Sequence, residues 1–453
     1  MTARVLKGEE AEVANVLHEI NEERLVNLLK DLINIPSPSG EERPLAEYLS
    51  NRFAQIGLKS EVQVLGEKSA NAIGTLKGKC GEGELEGYTL MLNGHLDTTF
   101  VSSRGSLDLK GTSAAGVGIE KGYSPEARVE NGRIYGLGAM NMKGALAAYT
   151  AAAEAIVNSG MRMLGDLIIT CVAGEIVYSP VDSFVDPWMR NFRFGTFYAV
   201  THGAVADMAI VGEPSDRGIY TGHAGIVWVK ITTRGKNVNT VYSHQLPNPM
   251  IRSEKIVNAL EQKWIPQYQK RMLEKYPEAK YHETGPGGPA VRIASVYGGS
   301  PWRLARSLPA SSIYLDVRTK QPPVELKREL NQFMKELQVE LKATDPDFNY
   351  EVDLYLSEHG NVQVPQDHIL TKTVESAHRE AFREAPRFMG QRALDSDAIV
   401  LSGYGIPSVN YGPGNPRSFA GVEYVDIDEL VNFAKSYAIT AIRLCNTIPS
   451  RSP

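Results

Sequence analysis

His95 and Asp97, in Gly94-His-Leu-Asp-Thr98, put an imidazole and a carboxylate two residues apart directly after the apolar run Tyr88-Thr-Leu-Met-Leu92. A neutral imidazole on a rigid strand end is a good first metal ligand, and a neighbouring carboxylate orients either that ring or the water beside it. Two further apolar runs end in an acid: Asp166-Leu-Ile-Ile-Thr-Cys-Val-Ala-Gly-Glu175 and Met208-Ala-Ile-Val-Gly-Glu213. Gly136-Leu-Gly-Ala-Met-Asn141-Met-Lys-Gly144 runs straight into the Ala-rich stretch Ala145 to Ala155, which reads as a buried helix, so Asn141 stands at a loop-to-helix junction. One His or Glu after a strand is ordinarily a capped or solvated residue. Several in this order form a constellation able to bind a divalent ion and move a proton.

Strand tips of this kind build a site when the strands are parallel, because open α/β sheets place their ligands at the carboxyl ends. The pattern agrees. Leu25, Leu28, Leu29, Leu32 and Ile33 share one helix face and stop before Pro36, and Ser39 with Glu42 predicts a capping box opening a helix with Leu45, Leu49 and Phe53 on one side. Strand and helix segments alternate up to Pro214, which predicts an α/β fold: a largely parallel sheet flanked by helices, the catalytic domain, starting with residues 1–216. From about Tyr220 the pattern changes to strand-like Gly225–Thr233, helical runs through Ile256, Val257, Leu260 and Trp264 and through Leu326, Leu330, Phe333 and Leu337, and an alternating strand from Phe348 to Leu356. That predicts a smaller α+β lid over 217–357, with the catalytic domain resuming over 358–453.

A chain of 453 residues with 42% hydrophobic content can bury two cores, and a net charge of -5 gives no general pull toward nucleic acid or anionic membrane. Cys80, Cys171 and Cys445 are widely spaced and form no zinc knuckle or redox pair; Cys171, inside an apolar strand, reads as a buried small side chain. No basic leader with an apolar core and no bilayer-length apolar stretch is seen, so a cytoplasmic protein is expected.

The order of these motifs resembles the acetylornithine deacetylase, succinyl-diaminopimelate desuccinylase and aminoacylase family of zinc-dependent peptidases and amidases. The resemblance continues through Gly235-Lys236, Gly298-Gly299 before Leu308-Pro309, Asp316-Val-Arg318, Leu394-Asp-Ser-Asp397-Ala and Gly405-Ile-Pro407 to Gly412-Pro-Gly414. It implies a catalytic α/β domain interrupted by a lid that mediates assembly into a homodimer or a higher homo-oligomer. It also implies two metal ions held by one bridging Asp, two acidic residues and two His. Here His95 and Glu213 match the ligands of the first ion and Glu175 matches the catalytic base, but Asn141 stands where the bridging Asp belongs. Ile176 replaces the acid that follows the base, and counting four residues back from Glu423 puts Phe419 where the last His should fall. An amide oxygen cannot bridge two dications as a carboxylate does, and neither Ile nor Phe ligates. One divalent ion per chain is expected, manganese or zinc, with iron also compatible, held by His95, Glu213 and Asn141.

Other departures bear on substrate. The lid His that polarises the substrate carbonyl falls near Asn239, with His244 five residues on, and the Asn expected after Gly298-Gly299 is replaced by Ser300-Pro-Trp-Arg303-Leu-Ala-Arg306. Arg303, Arg306 and Arg318 are candidates to clamp a substrate carboxylate, against the alternative of ordinary solvated or ion-paired residues. His202 and His223 are candidates to approach the metal or substrate, against hydrogen-bonded surface and hinge histidines. Residues Val101–Ala127 read as a flap or an exposed excursion. The aromatic run Tyr178, Phe184, Trp188, Phe192, Phe194, Phe197 and Tyr198, with Arg190 and Arg193 among it, reads as core or subunit contact ahead of pocket wall.

The resulting expectation is hydrolysis of a carbon–nitrogen bond, in which the ion lowers the pKa of water from ~15.7 toward ~7, Glu175 takes the proton and later passes it to the leaving nitrogen, and Asp97 keeps His95 in its ligating tautomer. With the second ion and lid histidine gone, an activated aromatic amine needs less help than an acyl-amino acid, because its own ring spreads the charge of the water adduct, and the resemblance to divergent single-ion members of the family implies a substrate of the nitroanthranilate type. A conventional one-ion amidase or deacylase, and a non-catalytic ligand-binding relative, are the alternatives.

Overall fold

The computed structural model describes residues 9–79, 85–98, 100–101, 105–106, 126–176, 193–244, 246–277, 289–299, 304–307, 309–358, 362–416 and 423–449. The chain divides into two compact units: residues 1–222, 363–390 and 395–453 form the first, and residues 223–362 with 391–394 the second. The exchange points at Gly222 and Gln363 compare with 217 and 357 expected from sequence, and the short 391–394 return carried no sequence signal.

The first unit is a mixed sheet flanked by helices. Its strands run in the order Lys59–Val64, Ala70–Leu76, Leu167–Val172, Leu90–His95, Met208–Pro214, Ser408–Gly412, Gly218–His223, Val362–Gln363, with Arg387–Arg392 also pairing with Gly218–His223. The four central strands from Leu167–Val172 to Ser408–Gly412 are mutually parallel. Their carboxyl ends therefore meet at one edge. Fully buried runs such as Leu-Ile-Ile-Thr-Cys-Val and Met-Ala-Ile-Val-Gly-Glu-Pro are what a strand covered on both faces requires. His95 pairs with Val172 and Asn93 with Val211, so His95 and Glu213, each two residues further on, emerge level with each other.

The helix Gly144–Asn158 is buried along most of its length and lies close on this sheet. Close approach is possible because glycines precede both site residues. A Cβ on Gly94 would come within 2.6 Å of Leu146 Cδ2, and one on Gly212 within 2.3 Å of the Tyr149 hydroxyl and 2.4 Å of Ala145 Cβ. The helix Glu22–Asn34 buries Leu25, Leu28, Leu29, Leu32 and Ile33, as its spacing requires. The expected capping box is not formed. Glu42 itself precedes the helix Arg43–Gln55 and accepts the Gly40 N–H, while the Ser39 hydroxyl leaves the helix end and donates to Asp97.

The second unit contains a four-stranded antiparallel sheet in the order Val291–Gly298, Ala310–Thr319, Gly225–Arg234, Glu351–Glu358. One face packs on helical segments Pro249–Lys275 and Pro323–Lys342 through Ile256, Leu260, Trp264, Leu326 and Leu330. Among the described residues no helix is long and apolar enough to cross a membrane.

Gly212→Ala forces a methyl against Tyr149 and Ala145 and lowers unfolding stability by about 1–3 kcal/mol; an unchanged denaturation midpoint would contradict the close packing. His378 is enclosed by Tyr411, whose hydroxyl is 2.8 Å from Nδ1, and Phe382, and burial pushes its imidazole down to about 4, with Arg217 and Arg379 acting the same way. It stays neutral when folded, whereas in the unfolded chain it protonates below about 6.5, so stability is full above that pH and is lost as pH falls toward 4. The melting-temperature deficit of the non-titrating His378→Gln variant should therefore shrink between about pH 7 and 4.5. A deficit independent of pH would refute the argument.

Candidate metal centre

His95 closes its strand and is fully buried. Nδ1 lies 2.9 Å from the carbonyl oxygen of Asp97 and 3.4 Å from its Oδ1. Both are acceptors for an Nδ1 proton, so Nε2, on the other side of the ring, is the nitrogen at which a metal ion would take the place of a proton. Facing Nε2 are Asn141 Oδ1 at 3.1 Å, Glu213 Oε1 at 3.8 Å and Glu175 Oε2 at 3.9 Å. Atoms of His95, Glu175 and Glu213 that could each ligate a metal all lie within 4.8 Å of one another. Two ligands bound at about 2.0–2.2 Å from one ion are about 3 to 4.4 Å apart. His95 Nε2 with the Asn141 and Glu213 oxygens at these separations, and Glu175 beside them, fit a divalent cation.

The electrostatics point the same way. Burial alone would lower the His95 pKa, but the hydrogen bond to Asp97 and the nearby Glu175 and Glu213 carboxylates hold it well above its usual value. Burial pushes the Glu175 carboxyl up, opposed by Arg193 and His95, and does the same to Asp397. This much buried acid is costly without compensating positive charge, which a cation at the centre would provide.

Asp97 does not face the open side of the ring. Burial acts to raise its pKa, yet His95, the Ser39 hydroxyl and the Ile176 N–H hold it below the ordinary carboxylate range. Oδ2 accepts from Ser39 at 2.8 Å and from the Ile176 N–H at 2.9 Å, and Oδ1 accepts the Glu175 N–H at 3.1 Å. The residue thus orients His95 and also fixes the loop that carries Glu175. Asn141 is set by Glu423, whose Oε1 accepts the N–H groups of Met140 at 3.2 Å and Asn141 at 2.9 Å. Lys143 next to it is buried and donates to the carbonyls of Leu32 and Ile35.

Ser39, Arg193 and Glu423 were not assigned to the site from sequence. In the sequence Ser39 has the pattern of a helix cap, Arg193 stands within an aromatic run, and Glu423 serves only to locate Phe419. An acid shortly before the final helix was the available signal for Glu423. For Arg193 and Ser39 the signal is tertiary.

Of the remaining candidates, His202 lies in the first unit. His202 is exposed at the end of the helix Phe194–Thr201, stacked on Tyr198 and bonded through Nδ1 to the Tyr198 carbonyl. It precedes the amino end of the strand whose carboxyl end carries Glu213, so the length of Met208–Pro214 separates it from the centre; sequence proximity misled because a strand intervenes. In the second unit, His223 is buried with Nδ1 against the Ala224 carbonyl, and Arg318 is bound through Nε to both Asp316 oxygens at 2.9 and 3.0 Å and through Nη1 to the Ala393 carbonyl. Asn239 is exposed and its Oδ1 accepts the Val241 N–H, capping the short turn Thr240–Tyr242. His244 and Arg306 are exposed. Arg303, Phe419, the aromatic residues from Tyr178 to Phe192 and most of Val101–Ala127 lie outside the described residues.

The sequence pattern of Peptidase family M20/M25/M40 matches residues 91–443. N-formyl-4-amino-5-aminomethyl-2-methylpyrimidine deformylase of Bacillus subtilis (strain 168) is 24% identical over 454 aligned residues, covering 94% of this chain and 96% of that protein. Succinyl-diaminopimelate desuccinylase of Rickettsia felis is 27% identical over 245 residues, 52% of this chain and 57% of that protein. Among solved structures, the di-peptidase Dug1p of Saccharomyces cerevisiae shares the fold with a TM-score of 0.69 at 13% identity, over 96% of this chain and 99% of that one. With a family match spanning most of its length and a buried His and carboxylate group at the carboxyl ends of its parallel strands, the chain belongs to the M20/M25/M40 peptidase family and is a metal-dependent hydrolase of carbon–nitrogen bonds.

Proposed function

We propose that the centre works with one divalent ion, held by His95, Glu213 and Asn141, and that it hydrolyses the carbon–nitrogen bond of a small, carboxylate-bearing, activated aromatic amine of the nitroanthranilate type, exchanging the ring amino group for hydroxyl with release of ammonia. The observation that carries this reading is what occupies the place of a second ion's ligands. Asn141 brings a neutral amide oxygen to His95 Nε2, and Ile176 spends its N–H on Asp97 and has no donor side chain. When bound, the ion supplies Lewis acidity and water of lowered pKa. The chain does the rest. The Asp97 carbonyl fixes the His95 tautomer, and Glu175 Oε2, on the ion's side of the ring, is the proton acceptor that later returns the proton to the leaving nitrogen. We assign the cytoplasm as the enzyme's place of work. In the second unit the edge strand Val291–Gly298 leaves Val296 and Tyr297 exposed, which supports assembly with a second copy through that edge.

A deacylase is the second reading, favoured by likeness to the Bacillus subtilis deformylase along nearly the whole chain. The test is to assay metal-loaded protein for ammonia from nitroanthranilate and for carboxylic acid from N-formyl and N-succinyl amines. Ammonia release supports the proposal; turnover of acylated amines alone replaces it with the second reading. In addition, Glu175→Gln should lower turnover by about 100 to 10,000-fold while calorimetric titration still shows the ion bound. Loss of the ion from that variant would make Glu175 a ligand and not the base.

A further inference from the structure

Glu175 has a buried partner. The Arg193 side chain is only 1% exposed, and its Nη1 donates to Glu175 Oε1 across 2.7 Å, so the other oxygen, Oε2, is the one turned toward His95 Nε2. Asp395 Oδ1 lies 3.9 Å from Arg193 Nη2. Backbone contacts hold Arg193 in this place. Arg193 adopts a left-handed φ of 41°, uncommon for a residue with a Cβ. Its N–H bonds the Gly174 carbonyl at 2.8 Å, and the Gly195 N–H bonds the Ala173 carbonyl at 3.2 Å. Asn71 clamps the two segments together, accepting the Ala173 N–H at 3.0 Å and donating to the Gly195 carbonyl at 2.8 Å. A Cβ at residue 195 would lie 2.2 Å from the Ala173 oxygen, so only glycine closes this stitch. The segment that begins at Arg193 is thus bound onto the loop that carries Glu175, with one guanidinium pointing inward.

The charges explain why. The carboxylates of Asp97, Glu175 and Glu213 are all buried around His95. Asp397 is buried near them as well, so four acids face one dication, and the Arg193 guanidinium offsets part of the charge that a single dication leaves. We propose that Arg193 is a positioning residue of the hydrolytic site: it holds Glu175 Oε1 so that Oε2 faces the ion's place, and it supplies the positive charge that a second cation would otherwise bring. This rests on the single-ion reading.

Arg193→Met removes the charge but keeps an unbranched buried side chain, and Arg193→Lys keeps the charge without the planar fork. Each metal-free variant is titrated with Mn²⁺ in a calorimeter, then assayed on whichever of nitroanthranilate or an N-formyl amine the wild type hydrolyses. Arg193→Met should bind Mn²⁺ no more weakly than wild type, since the site becomes more anionic, and should lose about 100-fold in kcat with KM within about threefold. Arg193→Lys should regain at least about tenfold of that loss. Mn²⁺ affinity weakened about tenfold or more, or kcat within about threefold of wild type, overturns the assignment. If Arg193→Met does not fold, the double variant Glu175→Gln, Arg193→Met decides: folding of the double variant shows that Arg193 offsets the Glu175 charge, and failure to fold shows a purely structural residue. A wild-type titration that saturates at two ions instead overturns the single-ion reading itself, a result distinct from either outcome for Arg193.

Discussion

The carboxylate of Asp97 ties two separate stretches of chain to one imidazole. It accepts from Ser39 in the loop before the helix Arg43–Gln55 and from the backbone of Glu175 and Ile176, while its residue fixes Nδ1 of His95. An ionised carboxylate removed from water is tolerable only when its lone pairs are filled by donors. Meeting that requirement here also sets the geometry of the centre, because each donor belongs to a segment that the site needs in place. The parallel register of the His95 and Glu213 strands then brings the two together without further adjustment.

A second constraint is the close packing of the helix Gly144–Asn158 on those strands. Gly94 and Gly212 let it approach, and the Met140–Asn141 turn that leads into it is pinned by Glu423. Asn141 therefore reaches His95 Nε2 from a rigid junction. Rigid delivery matters for a neutral amide, which has no net charge to draw it toward a cation and contributes only when it is already in position.

Much of this was legible in the chain. His95, Glu175 and Glu213 each end an apolar run, and strand tips in a parallel sheet converge by topology, so local pattern was enough to place them. The helix through Leu25 to Ile33 and the alternating strand through Val352 followed from periodicity alone. What local pattern could not show were contacts chosen by tertiary structure: Ser39 has the spacing of a helix cap, yet a buried carboxylate 58 positions away is the stronger acceptor. Arg193 looks like one more charge in an aromatic run until the stitch to Ala173 and Gly174 turns it inward. His202 failed in the opposite sense, since eleven residues before Glu213 means the far end of a strand.

The account stands on a centre in which Asn141, Ile176 and the Arg193 guanidinium leave room and charge for one ion. The most direct measurement is elemental analysis of protein saturated with Mn²⁺ or Zn²⁺ and freed of loose metal by gel filtration. The account predicts about one ion per chain, unchanged as metal is raised before filtration. A ratio that climbs to about two would contradict it.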